Sequence, residues 1–127
     1  MEQGTIKGKD ISFNRKILES KKTEMLILNH TDKKDRLKQR DSGLNQVLCR
    51  IAKDNNITLA IDLNELTESR DKKTRALILG RILQNIKLIK KFKNKFKLLN
   101  PGNKNQAFSL LLSWGLPTSQ TKEAIEN

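Results

Sequence analysis

Arg40 to Leu66, RDSGLNQVLCRIAKDNNITLAIDLNEL, is the stretch whose reading decides the fold. Asp41 or Ser42 stands where a side-chain oxygen can cap the free N–H groups of a helix, and Gly43 permits a tight entry. Leu44, Val47, Leu48, Ile51 and Ala52 then fall at i, i+3, i+4, i+7 and i+8, which predicts a helix with one apolar face. Asp54-Asn55-Asn56 stops it, and Ile57 to Ile61 reads as a strand whose near-continuous apolar character suits burial on both faces. A helix, a tight loop and a buried strand make half of a βαβ unit.

The pattern repeats on either side. Upstream, a helix starting at Asp10 or Ser12 carries Phe13, Ile17 and Leu18 to about Lys22, and Met25–Leu28 follows as a strand without polar alternation. Thr5-Ile6 reads as a vestigial strand, in a weakly ordered segment of about residues 1–9. Downstream, Thr67 to Asp71 forms a loop before a long helix from about Lys72 to Lys91. Its inward face is read as Ile78, Leu79, Ile82, Leu83, Ile86 and Ile89, and its outward face as Gln84, Lys87 and Lys91. Phe96–Leu99 is the next strand, closed by the turn Asn100-Pro101-Gly102. A helix bearing Phe108, Leu111 and Leu112 then stops at Gly115, and a last short helix is expected over Thr118–Asn127. Such alternation predicts an α/β domain with a parallel sheet and right-handed crossovers, spanning residues 1–127.

Hydrophobic residues make up 35% of the 127 and aromatics 4%, so the core must be built from Leu and Ile. The 26 Lys and Arg against 14 Asp and Glu give a net charge of +12, which calls for a polyanion: nucleic acid or an anionic membrane surface. No apolar run approaches the roughly 20 residues of a membrane span, and the N-terminus has no secretory h-region, so the expected location is cytoplasmic. Cys49 has no partner cysteine and reads as a small packed side chain.

Two basic runs are candidate phosphate contacts. Lys33, Lys34, Arg36, Lys38 and Arg40, interspersed with Asp32 and Asp35, lie in the loop that leaves a strand's C-terminal end, the edge on which α/β barrels and open sheets bind ligands. Lys87 to Lys97 holds six lysines and no acid, with Lys87, Lys90 and Lys91 on the long helix; Arg75 and Arg81 precede them. Such surfaces hold phosphates by charge without reading sequence, while a solvated loop and a solubilising helix end are the plain alternatives. Only Phe92 and Phe96 interleave with these bases, which argues against sequence-specific stacking.

Catalytic constellations are poor. His30 is the sole histidine, with Asp32, Asp41 and Asp62 as candidate company, no HxH or HxxxH spacing, and the character of an ordinary surface loop residue. No Ser/His/Asp or Cys/His set and no glycine-rich phosphate loop can be assembled.

Arg-Asp-Ser-Gly-Leu-Asn (40–45), the helix and strand after it, and Asn64-Glu65-Leu66 followed by an arginine-bearing helix resemble the archaeal ribonuclease P protein component 3 family, whose eukaryotic equivalent is the thirty-kilodalton subunit. The likeness runs, more weakly, from about Lys9 to the end, and covers the C-terminal part of the family's length. It implies a partial, half TIM-like barrel and a non-catalytic subunit of the ribonuclease that removes 5′ leaders from precursor tRNA. The chemistry would belong to the ribonuclease P RNA and its Mg²⁺, with no cofactor or metal on the protein, and protein component 2 would be a partner. Asp41, Ser42, Gly43 and Asn45 match the motif, chiefly as a structural element. The family commonly has histidine directly after the residue matched by Asn45; here Gln46 stands there and can still hydrogen-bond RNA.

Three firm strands and a possible fourth do not close an eight-stranded barrel, and an open parallel edge exposes unpaired backbone groups. Completion is expected from a companion chain supplying an N-terminal half, from self-association of two half-barrels, or from a first part absent from this sequence.

Overall fold

The computed structural model describes residues 4–31 and 42–125. Its elements run β1 (Thr5–Lys7), α1 (Ile11–Glu19), β2 (Met25–Leu28), α2 (Gln46–Asp54), β3 (Thr58–Asp62), α3 (Asn64–Thr67), α4 (Lys72–Phe92), β4 (Phe96–Leu99), α5 (Lys104–Ser113) and α6 (Thr118–Ile125). The strands form one parallel sheet in the order β1-β2-β3-β4. Sequential order without reversal is the winding of a barrel, because right-handed crossovers stepping always the same way put every helix on one face. The fold is a partial α/β barrel, as the family resemblance implies, built on the parallel sheet that the alternating pattern predicts.

The register sorts the side chains. Leu26, Leu28, Leu59, Ile61, Phe96 and Leu98 face the helices and are buried with Leu18, Leu48, Ile78, Ile82, Ile86, Ile89 and Leu111. The other face holds the row Lys7, Ile27, Ala60 and Lys97, in which lysines at the two edge strands flank an apolar centre. α1 packs on α2 and α2 on α4, while α6 packs on both α5 and β4. Among the described residues no backbone hydrogen bond pairs the outer edge of β1 or β4.

Several expectations are corrected. Thr5–Lys7, read as a vestigial strand, is paired along its length with Met25–Ile27, and Gly8 continues the pairing with its N–H 2.6 Å from the Ile27 carbonyl. A Cβ at Gly8 would lie 2.9 Å from that carbonyl oxygen and 2.8 Å from Asn14 Oδ1, so no other residue fits there without displacement. The first helix ends at Glu19 rather than Lys22, with Asp10 accepting from Phe13 N as its cap. Ser42 does not cap the central helix. Gly43 has φ +76°, Asn45 is extended, and Asn45 accepts from Leu48 N, so the helix starts three residues later than its apolar spacing suggests. Val47 is accordingly 46% exposed, and Cys49 takes the buried place. Asn64–Thr67 is a short helix where the strand pattern gave no sign of one. In α4, Leu83 is 38% exposed, whereas Arg81 and Asn85 are buried with the isoleucines.

Candidate nucleic-acid interface

At the C-terminal edge of the sheet, polar side chains are buried and mutually satisfied. His30 follows β2 and is fully buried: its N–H donates to Glu65 Oε2 at 3.1 Å, and its Nδ1 lies 2.9 Å from Glu65 Oε1. Asn85 Nδ2 donates to the Ser42 carbonyl and lies 2.9 Å from His30 Nε2. A carbonyl can only accept, so the group facing it is the NH₂; its second hydrogen points at Nε2, which must accept, and the ring proton sits on Nδ1 facing Glu65. Arg81 Nη1 donates to the His30 carbonyl, Gln84 Nε2 lies 3.3 Å from Ser42 Oγ, and Asn14 Nδ2 donates to the Gly43 carbonyl. Asn14 Oδ1 also accepts from Lys9 N. The ends of β1 and β2, the segment before α2, and α4 are thus tied at one edge.

These contacts change several readings. His30 is not a surface residue, and both its ring nitrogens are engaged. Arg81, read as a phosphate contact, is 4% exposed and committed to the interior. Asp62 is spent on Asn64 N and Asn100 Nδ2. Among the described residues no group of three or more His, Cys, Asp or Glu could hold a metal ion. The candidate contacts Lys33, Lys34, Arg36, Lys38 and Arg40, with Asp32 and Asp41, lie outside the described residues. A cleft of about 600 Å³ opens on the same edge, lined by Asp62, Glu65, Glu68 and Asp71 with Lys7 and Arg70, a balance that repels phosphate. Arg75, also on this edge, is exposed but folds back so that Nη2 donates to the Ser69 carbonyl. Gln46 is exposed at the start of α2.

The opposite edge is reached by α4, whose 21 residues span about 32 Å. Lys87, Lys90 and Lys91 are exposed on its outward face, and Lys93, exposed and at φ +53°, ends it. Lysines in the last turn are favoured by the helix dipole. Two residues of α2 that charge runs did not single out join this group. The Arg50 guanidinium lies 5.6 Å from the centre of the Phe92 ring, Lys91 Nζ is at the same distance, and Lys53 Nζ donates to the Phe92 carbonyl at 3.1 Å. In sequence, Arg50 and Lys53 are 34 or more positions away from this lysine run, and only the packing of α2 on α4 unites them. Among the described residues none of these cations pairs with a carboxylate.

No protein-family model matches the chain. By sequence it is 33% identical over 87 residues to "Ribonuclease P protein component 3" of Methanococcus vannielii, a match covering 68% of this chain and 35% of that protein. The protein of the same description from Methanococcus maripaludis (strain C7) is 30% identical over 87 residues, covering 68% and 34%. The chain therefore spans about one third of the length of the curated relatives it matches. By structure it resembles a chain of "cryo-EM structure of archaeal Ribonuclease P with mature tRNA", with a TM-score of 0.74 and 22% identity, over 96% of this chain and 52% of that one.

Proposed function

From a chain that matches the archaeal ribonuclease P protein component 3 family by sequence and by fold, we propose a protein subunit of ribonuclease P that braces the RNA for removal of 5′ leaders from precursor tRNA. The 87-residue sequence match carries the proposal. Lys87, Lys90 and Lys91, exposed and without a carboxylate partner among the described residues, support RNA contact, as does the +12 net charge. Catalysis in this reading belongs to the RNA and its Mg²⁺, and the chain acts in the cytoplasm beside component 2. His30 and Asp62 are engaged in structural hydrogen bonds, which speaks against a phosphoesterase-like site at the sheet edge. Arg81 is withdrawn from the contact set, and Lys33 to Arg40 stay in it on charge and on their place in sequence.

The test is cleavage of precursor tRNA by the cognate RNA and component 2 at low Mg²⁺, with and without this chain. Stimulation is the expected result. Absence of stimulation by a folded chain, with the other components competent, overturns the reading. A second reading is favoured by the outer edges of β1 and β4, which are unpaired among the described residues: a basic half-barrel completed by another chain or by a second copy, with no preference for ribonuclease P RNA. Size-exclusion chromatography with light scattering, run with and without RNA, separates the two.

A further inference from the structure

We infer that Arg50 and Lys53 of α2, together with Lys87, Lys91 and Lys93 at the end of α4, form a docking surface for the phosphate backbone of double-stranded RNA. The inference rests on the ribonuclease P reading and narrows the ligand of one surface. Because α2 and α4 both return from parallel strands, they run side by side in the same direction, with axes about 8–10 Å apart where they pack. The surface therefore carries one row of cations per helix: Arg50 and Lys53 one turn apart on the first, Lys87 and Lys91 one turn apart on the second. α4 contains no acidic residue, and Asp54 is the only one in α2. Cations so arranged repel one another until a polyanion neutralises them.

The chemistry of the surface selects the kind of RNA. Single strands are held by bases stacking on exposed aromatic faces. Here the Phe92 ring is half-buried with Arg50 and Lys91 beside it, and Phe96 is 3% exposed on the helix side of the sheet. What remains is a helix-built surface of lysine and arginine, which suits the backbone and broad shallow groove of an A-form duplex and reads no sequence.

The experiment uses the full chain and measures affinity, as a function of salt, for a mixed-sequence RNA duplex, a single strand of equal length, and vesicles rich in anionic lipid. The duplex should bind most tightly. The double variant Arg50→Gln/Lys53→Gln should lose about tenfold and reduce the salt slope by about two, one for each phosphate contact removed. Phe92→Leu should leave the preference for duplex intact. Circular dichroism establishes that each variant is folded, and Lys87→Gln/Lys91→Gln, which breaks no hydrogen bond, repeats the test should Lys53→Gln loosen the end of α4. Equal or tighter binding of the single strand or the vesicles overturns the inference, as does unchanged duplex affinity in both double variants. The ribonuclease P reading fails separately: a wild-type chain that binds duplex through this surface yet does not stimulate precursor-tRNA cleavage removes that reading and leaves the surface standing.

Discussion

The two edges of this sheet carry polar groups that look alike in sequence and are used in opposite ways. At the C-terminal edge, His30, Glu65, Arg81 and Asn85 are turned inward and consumed by one another and by backbone carbonyls. At the other edge, Lys87, Lys90 and Lys91 are exposed and unpaired among the described residues. One helix supplies both sets, with Arg81 and Asn85 on the stripe that faces the sheet and the lysines on the stripe that faces solvent. Charge alone therefore does not mark an interface; the helix face on which it sits does.

Mutation should separate the edges cleanly. Among the described residues, Asn85→Leu removes the side-chain donor to the Ser42 carbonyl and to His30 Nε2 and leaves two buried acceptors, each worth about 1–3 kcal/mol. Asn85 Oδ1 has no partner among the described residues, so its loss offsets part of that cost. The expected net destabilisation is about 2–4 kcal/mol by urea or thermal unfolding. A loss smaller than 1 kcal/mol would mean that the edge is not held by this amide. The converse variant, Lys87→Glu/Lys91→Glu, should cost no more than about 1 kcal/mol, chiefly because Lys91 lies in the last turn of α4, where the helix dipole favours a cation. Its RNA affinity should fall on the order of tenfold or more, measured at fixed salt. Unaltered affinity would place the lysines with the solvated helix ends rather than with the interface.

What could be read in advance divides along the same line. The apolar spacing of α4 and the uninterrupted runs at β2, β3 and β4 disclosed the layered parallel architecture, because burial of Leu and Ile leaves a period in the sequence. Buried polar residues leave none. Arg81 and Asn85 interrupt the isoleucine stripe at positions i+3 and i+7 from Ile78, and an interruption of that kind is equally consistent with an outward turn of the helix. The Asn45 cap was hidden by a better-looking serine, since only the positive φ of Gly43 delays the helix. Arg50 and Lys53 were out of reach for a different reason: their place beside Phe92 is a tertiary fact about α2 and α4.

Cys49 offers a probe of the same contrast that depends on neither RNA nor a denaturant. Burial among Leu48, Ala52 and their neighbours pushes its thiol up to about 12, so in the folded chain it is protonated throughout the neutral range and inert to alkylation. Labelling must then proceed through opening, at a rate set by the population of open molecules. Asn85→Leu should raise the labelling rate at pH 8 by the factor its loss of stability implies, and Lys87→Glu/Lys91→Glu should raise it far less. Rapid labelling of the wild type would contradict the buried position of the thiol.

The smallest expected effect concerns the start of α4, at the edge opposite its lysines. Asp71 accepts from Thr74 N at 2.7 Å, and this backbone hydrogen bond, with the Thr74 side chain and the nearby Lys73 and Arg75 charges, holds its carboxyl below the usual aspartate range. A folded value below the unfolded one means that the ionised cap favours the folded state. The contribution is complete above the unfolded value of about 3.9 and disappears as pH falls through the lower folded value. Because the side chain is exposed, solvent screens the effect and the slope is shallow. Asp71→Asn preserves an oxygen able to cap Thr74 N but cannot titrate, so it should match the wild type in helicity at pH 7 while losing this acid-limb component of stability below pH 4. If the two unfold along the same acid limb, the cap holds α4 by geometry alone, and the charge at that end contributes nothing comparable to the charge at the other.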